Sequence, residues 1–185
     1  MERGRWMVLG LVALLAGLSG CSGITITFKI EDVINDGGRG DRFKEMLDVD
    51  IVCLSSKDVE RFPELAEGTL NSREWFSARD AREQKYRALD GQIYALRSGE
   101  AGSYDLLKGP ALVSAANTGK REVVVRELKP PREILGESAI VVFGRFHDGT
   151  GGLLGAQPVL IRPLPRSGRI AIGVGRTQMT LLKAE

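Results

Sequence analysis

Hydrophobic and polar residues alternate along two early stretches of the chain, and this alternation predicts β-strands. Residues 24–30 carry an apolar side chain at every second position, and residues 47–51 repeat the pattern and continue to Cys53. A strand with one face in the protein interior requires this period of two. In the second stretch we expect the odd-numbered residues from Leu47 to Cys53 to face inward.

Apolar runs in the second half of the chain predict further strands. Residues 139–146 are apolar on both faces at their centre, which is typical of a strand inside a sheet. Residues 121–128 contain a short run of valines, and residues 158–164 are bounded by prolines, which favours an edge strand. Residues 169–174 and 178–182 predict one or two closing strands.

The region between the early and late strands has a different pattern, which predicts helices. Ser56 or Asp58 could cap a short helix over residues 59–66. Asn71 precedes Glu74 by three residues, the spacing of a capping box, and no Gly or Pro follows before residue 89. The apolar face of this second helix is modest, so we expect it to pack on the outside of a sheet.

Weaker patterns fill the remainder of the chain. Residues 92–96 fit either a strand or the end of a helix, residues 98–104 predict a loop, and residues 111–113 are a further strand candidate. Short strands separated by Gly and Pro favour a β-sandwich. We therefore predict a mainly β chain, a β-sandwich with a helical insertion around residues 58–89.

The first 21 residues have the order of a secretory signal. Basic residues (Arg3 and Arg5) precede an apolar run over residues 6–18, which is shorter than the roughly 20 residues of a transmembrane helix. Leu18, Ser19, Gly20 and Cys21 then follow, and this tetrapeptide resembles the bacterial lipobox. The alternative is an ordinary signal in which a Cys falls at this position by chance.

The lipobox resemblance implies a specific modification. A diacylglyceryl group would be joined to the thiol of Cys21, the bond between Gly20 and Cys21 would be cut, and the new amine would be acylated. We therefore expect a signal peptide at residues 1–20, a lipidated N-terminus with a short tether at residues 21–23, and one domain over residues 24–185. Ser22 stands where an Asp tends to retain such proteins at the inner membrane, so we expect the outer membrane, facing the periplasm.

Charge excludes some partners. The 185-residue chain has 26 basic and 24 acidic residues, and without Arg3, Arg5 and Glu2 these numbers become 24 and 23. A nearly neutral chain argues against nucleic acid as the main partner. It also supplies no polybasic segment for lipid headgroups, so the lipid on Cys21 is expected to provide the membrane attachment.

Candidate catalytic chemistry is sparse. The one histidine, His147, stands beside glycines and is interpreted as a turn residue, since no Gly-x-Ser-x-Gly elbow accompanies it. Cys53 lies in an apolar stretch and is interpreted as a small buried hydrophobic residue. The glycine-rich residues 149–155 and the Asn-Thr-Gly-Lys sequence at residues 117–120 lack the full phosphate-loop spacing, and both predict hairpin turns. We therefore assign no catalytic residue, no metal ligand and no cofactor, and we expect no enzyme.

The order of elements resembles the type VI secretion outer-membrane lipoprotein family (TssJ). The shared elements are the lipobox, the strands at residues 24–30 and 47–54, the helical middle, the strand at 122–128, the segment 139–148 and the closing strands at 170–182. The resemblance implies a transthyretin-like sandwich, which is close to the immunoglobulin-like kind. It also implies that a loop binds the periplasmic part of an inner-membrane protein.

These observations favour a structural role over a catalytic one. We expect an outer-membrane-anchored lipoprotein that acts as an adaptor subunit of an envelope complex, such as a type VI secretion membrane complex. The partner would be a periplasmic or inner-membrane protein, bound through residues that the sequence does not identify. Two alternatives stay open: a carrier of an apolar ligand, and an envelope hydrolase with a pair of carboxylates.

Overall fold

A computed structural model describes residues 23–31, 47–77, 84–89, 91–98, 104–108, 115–117, 122–128 and 137–185. These residues contain ten strands: β1 (Ile24–Ile30), β2 (Asp48–Leu54), β3 (Ile93–Ser98), β4 (Tyr104–Lys108), β5 (Ala115–Asn117), β6 (Glu122–Leu128), β7 (Ala139–Arg145), β8 (Val159–Ile161), β9 (Arg169–Val174) and β10 (Met179–Ala184). They form two sheets of five strands. The first sheet has the order β10-β9-β1-β6-β5 and the second has the order β4-β3-β2-β7-β8. The predicted β-sandwich is confirmed.

Short helices lie between β2 and β3, as the sequence predicts. They are α1 (Ser56–Arg61), α2 (Pro63–Ala66), α3 (Ser72–Ser77) and a 3-10 helix at Arg87–Leu89. These segments pack on the outer face of the second sheet. The described part of the protein therefore has three layers: first sheet, second sheet and helices.

The central strands of the two sheets are β1 and β2, the first two strands in chain order among the described residues. In the first sheet, β1 is antiparallel to β6 and parallel to β9, so that Phe28 lies between Val123 and Ile172. In the second sheet, β2 is antiparallel to both β3 and β7. β7 also pairs with the short edge strand β8, which confirms that residues 139–145 are interior and that the proline-bounded strand lies at an edge.

Two hydrophobic clusters form the core. The larger lies between the sheets and contains alternate residues of the facing strands, including Ile26, Phe28 and the predicted inward residues from Leu47 to Cys53. The smaller lies between the second sheet and the helices, and it includes Leu54, Phe143 and Trp75. β7 contributes to both clusters, which explains why its sequence is apolar on both faces.

The helix starts are set by side-chain caps. Asn71 Oδ1 accepts a hydrogen bond from Glu74 N at 3.0 Å, and Glu74 Oε2 accepts one from Asn71 N at 3.1 Å, which confirms the predicted capping box. At α1 the expected cap was wrong, because Ser55 is the cap residue. Ser55 Oγ accepts a hydrogen bond from Asp58 N at 3.2 Å, so Asp58 occupies the third helical position and completes a second capping box.

Other boundaries differ from the prediction. The expected helix over residues 59–66 is divided in two, because Pro63 begins α2 as its first residue. Residues 78–83, within the expected second helix, lie outside the described residues, as do residues 111–113. β4 and β5 were not predicted, and β3 continues to Ser98, into the expected loop. Pairing with a neighbouring strand, rather than their own composition, makes these segments extended.

We predict that Gly144→Ala destabilises the sandwich. A Cβ at Gly144 would lie 2.7 Å from Cε2 of the buried Phe146 ring and 3.0 Å from Met179 Cε. The strand or the ring must then shift, which typically costs about 1–3 kcal/mol. Urea unfolding followed by circular dichroism measures the loss.

Gly155→Ala is the matched control for this substitution. Its Cβ would meet nothing closer than Asn71 at 3.7 Å. We expect its unfolding free energy to stay within about 1 kcal/mol of the parent. Equal stability of the two variants would contradict the close packing around Gly144.

Candidate functional site

The predicted cleavage and lipidation residues, Gly20 and Cys21, lie outside the described residues. The described chain begins two residues later, at Gly23. The surroundings of Gly23 are therefore the part of the structure that bears on the predicted membrane attachment.

Gly23 is packed tightly against the backbone of β6. A Cβ at this position would lie 2.6 Å from Glu127 Cα and 2.8 Å from the carbonyl carbon of Glu127. The register of β1 and β6 shifts here, from Ile26 opposite Val125 to Ile24 opposite Leu128, and Glu127 has a positive φ of 59°. The irregularity in β6 and the missing side chain at Gly23 together allow the chain to approach this closely.

The C-terminal residue lies at the same end of the sandwich. Thr25 N donates a hydrogen bond to Gly168 O at 2.7 Å, and Gly168 has a φ of +68°. Glu185 N donates to Arg169 O at 3.0 Å, so the last residue extends the ladder between β9 and β10. We call this region, marked by Gly23, Gly168 and Glu185, the anchor end.

The opposite end, the far end, is about one strand length away. β1 and β9 run in parallel from the anchor end to Ile30 and Val174, roughly 20 Å for seven residues. Glu31 N donates to Val174 O at 3.0 Å there. Leu47, which directly precedes β2, lies in one cluster with Ile30 and Val174 at the far end. β2 therefore begins at the far end and runs toward the anchor end.

A closed turn containing His147 lies at the far end. Asp148 Oδ1 accepts hydrogen bonds from Thr150 N at 2.9 Å, Thr150 Oγ1 at 2.7 Å and Gly152 N at 2.8 Å. The bonds from Thr150 and then Gly152 stabilise the carboxylate and lower the pKa of Asp148. His147 is buried, with Nδ1 3.3 Å from Gly151 O. The predicted turn is confirmed. The hydrogen bonds that Asp148 accepts come from the backbone of the turn and from the Thr150 hydroxyl.

An apolar cleft opens between the sheets at the far end. It encloses about 270 Å³ of space not filled by atoms, part of it open to solvent. Its lining residues are Phe28, Ile30, Leu47, Val49, Leu96, Val123 and Val174. Because this volume includes open solvent, the enclosed space has room for no more than about one water molecule, and the cleft is too small to be a ligand site.

A buried polar pair, which the sequence did not reveal, joins the helical layer to the second sheet. Asp50 is fully buried, and Trp75 Nε1 donates a hydrogen bond to its Oδ2 at 2.8 Å. The indole of Trp75 stacks on Phe143 with a centroid distance of 4.5 Å and an interplanar angle of 4°. Alternation puts Asp50 on the face of β2 that points away from the core between the sheets. Only the covering helices bury it, so no local signal could identify the pair.

The edge of the helical layer carries a cluster of polar contacts. Tyr86 Oη donates to Glu64 Oε1 at 2.9 Å, and Lys85 Nζ lies 2.8 Å from the same oxygen. Burial acts to raise the pKa of Glu64, but hydrogen bonds from Lys85, the backbone and Tyr86 outweigh it and lower the pKa. Burial raises the pKa of Tyr86. These contacts tie α2 to the segment before the 3-10 helix and hold Tyr86 against Trp75.

Cys53 lies in the core between the sheets, as predicted. It is fully buried, and this burial raises the pKa of its thiol to about 12. A thiol needs to ionise to act as a nucleophile or metal ligand, so burial keeps Cys53 inert.

The described ranges contain no metal-binding cluster and no membrane-spanning helix. Within them, no group of three or more His, Cys, Asp or Glu side chains could hold a metal ion. None of the described helices is long and apolar enough to cross a membrane.

Comparison of the chain with protein-family models, curated proteins and solved structures found no match. The resemblances to the lipobox and to the type VI secretion lipoproteins therefore stay predictions from the residues that carry them.

We predict that Trp75→Phe loosens the helical layer. Phenylalanine can keep the stacking on Phe143 but cannot donate the hydrogen bond to the buried Asp50. Loss of a hydrogen bond to a buried carboxyl should lower the unfolding free energy by about 2 kcal/mol or more. Urea unfolding followed by circular dichroism measures this. Phe76→Leu, which changes a half-buried neighbour on α3, is the control and should cost less. An unchanged midpoint for Trp75→Phe would show that the bond does not hold the layer.

We predict that Cys53 reacts with alkylating reagents only when the domain unfolds. In a Cys21→Ser chain Cys53 is the sole thiol, and at neutral pH a pKa of about 12 leaves a thiolate fraction roughly a thousandfold below that of a free cysteine. Folding raises the pKa of the Cys53 thiol. Ionisation of this thiol therefore lowers the free energy of unfolding only as the pH rises above the ordinary cysteine pKa, toward about 12. Labelling with iodoacetamide, with and without urea, checks this. Fast labelling of the folded chain would contradict the burial.

Proposed function

We propose that this protein is an outer-membrane lipoprotein that acts as an adaptor subunit of an envelope complex. One observation carries the proposal. Gly23 is fixed at one end of the sandwich, two residues after Cys21, which is the acylated position if the lipobox resemblance holds. Lipid on Cys21 would then orient the whole domain as well as attach it.

Lipid chemistry accounts for stable attachment. Each buried methylene contributes about 0.8 kcal/mol, so one acyl chain binds reversibly whereas two or three hold the protein firmly. Cys21 and Ser22 together reach at most about 7 Å when extended. The anchor end of the domain would therefore lie close to the lipid headgroups.

Orientation follows from this short tether. The anchor end would face the bilayer, and the far end would project into the periplasm by roughly one strand length, about 20 Å. The far end and the sides of the sandwich are then the surfaces within reach of a protein from the inner membrane. The mainly β architecture with a helical layer supports the resemblance to the type VI secretion lipoproteins, whose complex is our candidate assembly.

Carriage of an apolar ligand stays an alternative from the sequence alone, because the enclosed part of the cleft between the sheets has room for no more than about one water molecule.

We predict that Cys21→Ser leaves a folded domain but abolishes membrane attachment, because the thiol that carries the diacylglyceryl group is lost. Fractionation of cell envelopes, with detection of the full chain, measures this. Cys53→Ser is the matched control, since it changes the other cysteine and should remain with the membranes. If the Cys21→Ser chain stayed in the membrane fraction, attachment would come from the protein surface and the proposal would fail.

A further inference from the structure

The chain between β8 and β9 crosses from the second sheet to the first at the anchor end. Residues 165–168 form a β-turn there, because Gly168 N donates a hydrogen bond to Pro165 O at 3.1 Å. Arg166 and Ser167 occupy the two central positions of this turn, and both are exposed. We call these four residues the anchor turn.

The anchor turn packs directly against the start of β1. A Cβ at Gly168 would lie 3.4 Å from Gly23 O, and Gly168 O accepts the hydrogen bond from Thr25 N at 2.7 Å. The turn is therefore fixed to the segment that leads back to Cys21, two residues before Gly23.

Most cations around the anchor turn have a carboxylate beside them. Arg162 Nε donates a hydrogen bond to Glu137 Oε2 at 2.9 Å, and Lys183 forms an ion pair with Glu185. These two pairs leave little net charge at the sides of the turn.

Arg166 differs from the other cations in position and in pairing. Arg169 lies opposite Glu185 in the ladder between β9 and β10, and Arg126 directly precedes Glu127. Arg166 instead lies at the tip of the turn, and it forms no ion pair with a described residue. Its guanidinium is therefore available to an anion outside the domain.

Chain length places Arg166 within reach of the proposed lipid. Residues 21–23 and residues 166–168 each extend at most about 7 Å between their ends. The polar headgroup layer of a bilayer is about 5–8 Å thick on each side. A long arginine side chain at the tip of the anchor turn can therefore reach the phosphate groups of this layer.

We propose that Arg166 binds lipid headgroup phosphates and so sets the orientation of the domain on the membrane. This inference rests on the proposed lipid attachment at Cys21 and adds a second, weaker contact to it. The short chain between Gly23 and Cys21 identifies the occupant, because acylation of Cys21 brings a bilayer against this end of the domain. A guanidinium can donate two parallel hydrogen bonds to one phosphate, which suits it to this contact.

A single cation is too weak to attach the protein, but it can orient a protein that is already tethered. Near an anionic bilayer, one arginine favours the contacting state by about fivefold. The acyl chains keep the anchor turn at a high effective concentration beside the headgroups, so this modest preference changes the population of orientations. The contact therefore needs no excess of positive charge on the domain as a whole.

Fluorescence quenching in vesicles tests the proposal on the full, acylated chain. The chain is reconstituted into vesicles of phosphatidylethanolamine and phosphatidylglycerol, with a nitroxide on a fraction of the headgroups. A fluorophore is attached through Ala184→Cys at the anchor end or through Thr177→Cys between β9 and β10 at the far end. Both positions are exposed, whereas Cys53 is buried. We expect strong quenching at position 184 and little at position 177.

Charge reversal in the anchor turn supplies the decisive comparison. Arg166→Glu should lower the ratio of contacting to non-contacting orientations about fivefold or more, which weakens quenching at position 184. Arg166→Gln removes the charge without reversing it and should have a smaller effect in the same direction. Added salt should weaken quenching of the parent chain.

Lys29→Glu is the matched control, since it reverses an exposed cation of the same sheet near the far end. It should leave quenching at position 184 unchanged. All these variants should stay with the vesicles, because the acyl chains on Cys21 are unaltered.

Three outcomes would overturn the proposal in different ways. Equal quenching of the Arg166→Glu variant and the parent would reject the headgroup contact but keep the lipid attachment. Equal losses in Arg166→Glu and Lys29→Glu would show a general charge effect and would also reject the contact. A parent chain that carries no acyl group and does not bind the vesicles would reject the proposed function itself.

Discussion

The structure depends on the pairing of β2 with β7, two strands that are buried on both faces. One face of the pair forms half of the core between the sheets, and the other forms the floor of the cluster beneath the helices. A polar residue in such a pair needs a partner from the covering layer, because desolvation without a hydrogen bond is costly. Asp50 has this position, and Trp75 supplies the donor. The same indole stacks on Phe143 of β7, so a single side chain of α3 contacts both strands of this pair. The helical insertion is thus a layer of the fold that the second sheet requires, since without it Val141, Phe143 and Leu54 would face water.

Sequence patterns predicted the strands and the helix cap that depend on residues close together in the chain. β1 was found because it buries every second residue, and β7 because it buries nearly every residue. β2 was found because its sequence alternates, although the covering helices bury its other face as well. The capping box at Asn71 was found because its two hydrogen bonds join residues three apart. β4 and β5 were missed because their extended conformation depends on neighbouring strands. The burial of Asp50 has a similar origin. Its alternation with Val49 and Ile51 puts it on the outer face of β2, and Trp75, which supplies its hydrogen bond there, stands 25 positions later in the chain.

The features of the candidate site also divide into those that depend on neighbouring residues and those that depend on residues far apart in the chain. The proposed attachment signal is a contiguous pattern from Arg3 to Cys21, so it is a prediction from the sequence alone. The tight packing of Gly23 against Glu127 joins residues about one hundred positions apart and could not be read from either segment. The outer side of the first sheet is the most non-local feature, because it is assembled from β1, β6, β9 and β10. Even the outward position of Leu182 follows from a register shift, since strict alternation would place either it or Lys183 on the opposite face.

Net charge and local charge lead to the same conclusion for this protein. The charge expected for residues 21–185 is near zero, which argues against strong non-specific attraction to nucleic acid or anionic lipid, since those interactions depend on summed charge. Pairing of distant strands brings charges of both signs to the outer side of the first sheet. Its cations include Lys29 and Arg126, and its exposed carboxylates include Glu31 and Glu127. Screening over roughly 8 Å at physiological salt limits each charge to its near neighbours, so this balance holds locally as well. If the lipid on Cys21 holds the domain upright on the membrane, this side of the sheet is directed along the membrane surface. That direction suits lateral contact with another component of an envelope complex.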